Sequence, residues 1–484
     1  DVSGLLDVSG TSIALGSGTS VFNAGTLTVN SVGSVTVSED SSLDLVGVNT
    51  ADSADLVSAA GVSDAGAVSV DVTGLLDVSG TSIVLGSGTL NAGTLTFNSA
   101  GSVTISEDSS LDLVGVNTAD SADLDSTAGV SDAGAASVDV SGLLDVSGTS
   151  IVLGSGTLNA GTVIFNSAGS VNIEEASSML VSGSSTAGAG LNLLSTDDVT
   201  LNASVTVVGD TSIIAGTTSG GIAVNAKLKG SGTILLDAAD EITIDAAIDP
   251  TTVTLNADDD ITVNAAVVAS ELITVSAGED GSGSFILGAA GSLETIDSGS
   301  DITVATGSTS GDITLTGTTT ALDLVTMTTA SGSINGSGLV TSDTVDLNAS
   351  TGIGDTAGIT LASSNVTADT TTGDVEIANS LGTAVIVSSL TTGSGSVIFN
   401  QSGGGDLSTS AVSASGAVTL ANAAGSLSLA GTVVSNSLDA SASGAITDGS
   451  DGDLTIAGLA EFTAGSIELG NDAGNATNFG TLTF

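Results

Sequence analysis

The sequence contains no cysteine, histidine, arginine, tryptophan or tyrosine. Without cysteine there is no disulfide, no thiolate nucleophile and no thiolate-bound metal. Without histidine and cysteine the common catalytic triads and dyads cannot be assembled, and paired carboxylates are the one acid–base device left. Aromatic residues make up 2% of the chain and all are phenylalanine, whereas a globular interior leans on large rings. A single proline, Pro250, suits a backbone whose N–H groups are nearly all needed in hydrogen-bonded ladders. Positive charge is confined to Lys227 and Lys229, against 54 acidic residues, for a net charge of −52. Such a surface repels nucleic acid and anionic lipid and attracts cations. It also offers almost no site to a protease that needs a basic side chain, which suits life outside a cell. No run approaches the roughly 20 apolar residues of a membrane helix, and no basic-then-apolar leader opens the chain. The chain begins at Asp1 and ends at Phe484 in mid-pattern. The expectation is a segment of a longer protein whose export signal and anchor lie elsewhere.

What is present is repetition. Between Gly221 and Asp280, the run Ile222–Ala226 returns as Ile242–Ala246 and as Ile261–Ala265. A second series, Ile234–Ala238, Val253–Ala257 and Ile273–Ala277, keeps the same beat of 19 to 20 residues. Inside each run apolar residues alternate with small polar ones, the period of a strand with one buried face. Ile261, Val263 and Ala265 are expected to point inward. The polar residue before each alanine is expected at a corner, because Asn and Asp bond to nearby backbone. One such turn cannot bury its own apolar face, but stacked turns can. The fold class expected is all-β: a parallel β-helix, or β-solenoid, of 19–20 residues per coil and about 24 coils, with no substantial helix. The 66 glycines supply its corners.

Four regions follow. Residues 1–180 hold three copies of a repeat of about 70 residues, opening at Asp1, Asp71 and Asp139. The first copy is two residues longer, at Thr19–Asn23 against Thr89–Asn91, and the extra residues are expected in a corner. Residues 181–280 carry the regular short beat, and 281–450 have looser corners. At 451–484 the first unit returns, since Leu459–Phe462, Ser466–Gly470 and Phe479–Phe484 echo Leu75–Val78, Ser82–Gly86 and Ala92–Phe97. The four are expected to form one continuous acidic rod.

The acidic corners are the main candidates for chemistry. Asp258, Asp259 and Asp260, with Asp237, Asp240 and Glu241, could offer oxygen ligands to calcium at successive turns, as could Glu39 with Asp40 and Glu107 with Asp108. The alternative is a solvated acidic surface. Acids recur in nearly every turn instead of gathering in one groove, so the chain is expected not to be an enzyme and to need no cofactor beyond possible calcium. Phe97 and Phe165 hold equivalent places and are expected in a core row. Runs such as Thr26–Thr28 and Thr94–Thr96 have the spacing of a flat ice-binding face, but recur only once per large repeat. Lys227 and Lys229, two apart, are expected to face outward.

These turns, together with Gly86–Gly101 and Ser331–Val340, resemble the repetitive passengers of very large bacterial surface exoproteins, the filamentous-haemagglutinin-like and beta-strand-repeat proteins. The resemblance covers nearly the whole chain and specifies architecture better than function. It implies a right-handed parallel β-helix, exported from a Gram-negative-type cell, extracellular or on the cell surface, acting as an adhesin, sheath or fibre. The expected role is a structural, non-catalytic surface segment; the alternative is an acidic, calcium-binding coat or matrix protein. Expected partners are further copies in a fibre or filament and a cell-surface or carbohydrate receptor, with no nucleic acid and no membrane span.

Overall fold

In the computed structural model the described residues are 1–16, 22–132, 134–471 and 473–484. Among them there is no helix, and parallel strands stack turn upon turn as a β-solenoid of about 23 turns. The chain forms two compact units, Asp1–Gly232 and Thr233–Phe484.

In the second unit each regular turn has three short strands, and each strand pairs with its counterpart one turn on. The first ladder carries Ile234, Val253, Ile273, Ile302, Val325 and Val345 in one vertical row. The second carries Ile242, Ile261, Phe285, Ile313 and Ile334. The third carries Ile248, Val267, Leu293, Thr319 and Val340. All of these side chains are buried. In the first unit the same three-ladder plan is clearest above residue 170, where Met179, Val199 and Ile222 share one row. Parallel pairing of this kind satisfies the backbone of every turn from its neighbours, while one aliphatic side chain per strand position fills the interior. Each buried Val, Leu or Ile contributes roughly 1.5–3 kcal/mol.

The two interleaved series seen in the sequence are therefore two faces of one turn. The third face, with strands such as Ile248–Asp249 and Ala266–Ala269, went unrecognised, because strands this short and alanine-rich carry little pattern. Two local expectations need correction. Asp237, Asn256 and Ser276 are not corners: strands Thr233–Ala238, Thr252–Ala257 and Leu272–Ala277 run through them, and parity turns them outward. Ala265 does not complete an inward row, because strand Ile261–Val263 stops short of it, leaving Asn264 exposed at the corner and Ala265 half-buried.

In the large repeats, strands reach 11 or 12 residues, as in Ser69–Gly80 and Thr89–Ser99. Each such pair slips register once, between Ala92 and Thr94 in the second copy and between Val140 and Leu143 in the third. That slip lets Ala92 and Leu95, three residues apart on one strand, both face in. Of the two-residue insertion in the first copy, Thr19 to Val21 lie outside the described residues. Thr89 and Leu90 of the shorter second copy open a strand. Phe97 and Phe165 are fully buried, as the core-row reading requires.

Candidate functional site

The corner between residues 237 and 280 stacks acidic side chains over three consecutive turns of the second unit. Asp258 N–H donates to Ala238 O at 3.0 Å and Asp259 N–H to Asp240 O at 3.3 Å. One turn on, Gly278 N–H donates to Asp259 O at 3.0 Å and Glu279 N–H to Ala257 O at 3.1 Å. These backbone bonds continue the register Ala238–Ala257–Ala277 into the corner, so successive turns lie there at about 5 Å, the spacing of paired strands. Two electrostatic groups result. Partial burial, then Asp258, raises the Asp237 carboxyl above its ordinary range, and burial, then Asp237 and Asp258, raises Glu279. Asp259 is raised by burial, then by Asp260, Asp240 and Asp280.

All six sequence-nominated residues thus lie at or beside one corner, but they do not close on a point. Asp237 is mid-strand, Asp259 and Asp240 are exposed, and Glu241 is exposed just before strand Ile242–Ile244. Asp260 already uses Oδ1 to accept the backbone N–H of Ser284 at 2.7 Å. Among the described residues no three carboxylates converge as a metal-holding group. What the arrangement does is concentrate negative potential along a column. Two such charges 5 Å apart repel by roughly 1 kcal/mol in water, and more where the dielectric is lower.

The glutamates nominated beside this corner have a different fate. Glu39 and Glu107 are not surface ligands: each is 2% exposed or less, as is Glu175, their counterpart in the third copy. Each closes a strand whose inward parity it shares, as Val103, Ile105 and Glu107 do in Ser102–Glu107. Each accepts a backbone N–H from the turn below: Glu39 from Ala24, Glu107 from Ala92, Glu175 from Ala160 at 3.0 Å. A serine two residues on donates to each carboxylate. Burial raises all three, against those hydrogen bonds, and pushes Glu175 up to about 7. The signal that could have found them was the alternation itself, which puts a glutamate on the inward side.

Further buried polar groups were missed for the same reason. Asp64 accepts the N–H groups of Gly86 at 2.9 Å and Ser87 at 3.1 Å, and Asp132 those of Gly154 at 2.8 Å and Ser155 at 3.1 Å. Asn49 accepts from Val29 N–H at 2.9 Å, and Asn117 from Phe97 N–H at 3.0 Å. These side chains serve backbone groups that the ladders leave over.

Other nominated features resolve simply. In the Thr-x-Thr runs, Thr28 and Thr96 are buried and donate to Val46 O and Val114 O, at 2.7 and 2.9 Å, so the runs form no flat outward face. Lys227 and Lys229 are exposed. A shallow groove of about 540 Å³ has Asp312 and Asp355 on its walls. Asp312 there already accepts from the backbone and hydroxyl of Ser333, at 2.7 and 2.9 Å.

Comparison with family models, with characterised proteins and with solved structures finds no match to this chain.

Proposed function

We propose that this chain is a structural, non-catalytic segment of an extracellular bacterial surface protein, of the filamentous-haemagglutinin-like kind, serving as part of an acidic fibre or adhesin. The observation that carries this reading is the distribution of roles along the chain. Nearly every turn spends its apolar residues on the interior and its Thr, Ser, Asn and Asp on the outer faces. Acids whose protonation is perturbed by neighbours are spread over successive turns, which favours a surface property over a reaction centre. Copies of the chain in a filament, and a cell-surface or carbohydrate receptor, are the partners this reading proposes. Immunogold labelling of intact cells of the organism that makes the protein tests it. Label on unpermeabilised cells, along projections or a surface layer, is expected; label only after permeabilisation overturns it.

The second reading, an acidic cation-binding coat, is favoured by one feature, the mutually repelling group Asp237, Asp258 and Glu279. Equilibrium dialysis against calcium in about 0.1 M salt separates the two, since that salt screens diffuse attraction beyond about 10 Å. Saturable uptake at fixed stoichiometry supports the coat. Uptake that follows ionic strength alone, and is the same for magnesium, removes it.

A further inference from the structure

At the turn that closes the third repeat, a buried carboxylate oxygen has no hydrogen-bond donor. Glu175 ends strand Val171–Glu175 and is fully buried. Its Oε1 accepts the N–H of Ala160 at 3.0 Å. The Ser177 hydroxyl lies 3.2 Å from that same Oε1 and 3.0 Å from Asn159 Oδ1, and a hydroxyl has one hydrogen to give. Asn159 directs its own amide to Asp139, at 3.1 Å. Glu175 Oε2 is enclosed and has no partner. Asn159 is exposed to solvent, so the one acceptor left unserved inside is Glu175 Oε2. An ionised Glu175 leaves a charged oxygen unserved in a buried place; protonation removes that charge.

The charged groups around it do not compensate. Asp139 faces it from strand Ser137–Gly148, and Glu174 is exposed beside it on its own strand. Asp197, on the turn above, bonds Ser178 at 3.2 Å. Strand Thr157–Ser167 contributes the neutral Asn159. No cation is among the groups acting on Glu175. The equivalent sites of the first two copies differ. Both oxygens of Glu39 and of Glu107 lie within 3.3 Å of the Ala24 or Ala92 nitrogen, so neither site has an orphan.

We propose that Glu175 is a proton-operated latch: protonated, it seals the turn Val171–Ser178 onto strand Thr157–Ser167, and its ionisation, which puts a charge with an unpartnered oxygen in an enclosed place, loosens that turn and exposes Ala160. Burial, opposed by the Ala160 and Ser177 hydrogen bonds and reinforced by Asp139, sets its midpoint at about 7. The sign follows from linkage. A carboxyl raised in the folded state favours the closed turn while protonated, and that advantage is lost as pH rises through about 7. The latch would make one turn of the first unit responsive to the difference between an acidic and a neutral surrounding.

The test is amide hydrogen exchange at Ala160, corrected for the intrinsic pH dependence of exchange. In the intact chain, protection there falls about tenfold or more from mildly acid to mildly alkaline pH, the factor one unit of carboxyl shift delivers. In Glu175→Gln protection stays high and flat, while Glu107→Gln leaves the Ala160 profile as it was. Protection at Ala160 that is constant across neutral pH, or a Glu175→Gln profile with the wild-type slope, overturns the proposal. Should that variant fail to fold, carbon-13 titration of the wild-type glutamate carboxyls decides. A Glu175 resonance that titrates near neutrality upholds the latch, and one at the ordinary 4.5 ends it.

Discussion

The two carboxylate oxygens of Glu107 stand 3.2 and 3.3 Å from the backbone nitrogen of Ala92, fifteen residues earlier. On the same edge, Asp108 N–H donates to Leu90 O at 2.9 Å. The side chain takes over as acceptor where the backbone of the upper turn has already left the ladder. Its removal should be felt as a lost acceptor more than as a lost charge. Glu107→Ala orphans the Ala92 N–H and is expected to cost about 1–3 kcal/mol. Glu107→Gln keeps an oxygen there and removes the burial penalty on a charge, so it should be neutral or mildly stabilising near pH 7. Chemical denaturation of the two variants checks the order.

Among the described residues, every carboxyl whose titration is displaced is displaced upward, with burial the leading cause. The folded chain therefore binds more protons than the unfolded chain, and stability falls as pH rises. The window opens near the ordinary carboxylate values of 3.8 and 4.5 and extends to about 7, where Glu175 loses its proton. Thermal melts at fixed ionic strength should give a higher Tm near pH 5 than near pH 8, the reverse of usual acid denaturation. A Tm that rises over that interval would contradict it.

Gly86 has φ +103°, and a Cβ built on it would lie 2.2 Å from Ser106 O. Gly66 has φ +87° but open space around it. Gly86→Ala combines backbone strain with a clash against the next turn, so it should destabilise by well over the roughly 1 kcal/mol expected of Gly66→Ala. Denaturation midpoints of the two variants provide the comparison.

Ile302 is fully buried in its vertical row, and Thr303 beside it faces out. Ile302→Ala should cost about 2–5 kcal/mol through lost burial and a residual cavity. Thr303→Ala should stay within about 0.5 kcal/mol. Equal effects would mean that the strand is one residue out of register.

Asp259 stands among Asp240, Asp260 and Asp280 with no compensating cation among the groups that act on it. Asp259→Asn should raise Tm at low ionic strength, and the gain should vanish in about 0.5 M salt, where surface charges are screened. A gain that survives high salt would point to a cause other than repulsion.

The amino-acid sequence by itself determined the architecture. The 19-to-20-residue beat of Ile242 and Ile261, and of Ile234, Val253 and Ile273, is the stacking distance written along the chain, because identical turns bury their aliphatic faces only on one another. Alternation also encoded the inward glutamates, although their charge made a surface reading more natural. Tertiary structure decided where the strands stop and what their ends bond to. Nothing local announces that Asp237 lies within a strand or that Ala266–Ala269 forms a third face. Nor does it announce that Glu175 meets Ala160, and Ser177 meets Asn159, on the turn below. Those outcomes depend on which backbone groups the neighbouring turn leaves unpaired, a property of two turns together that neither carries alone.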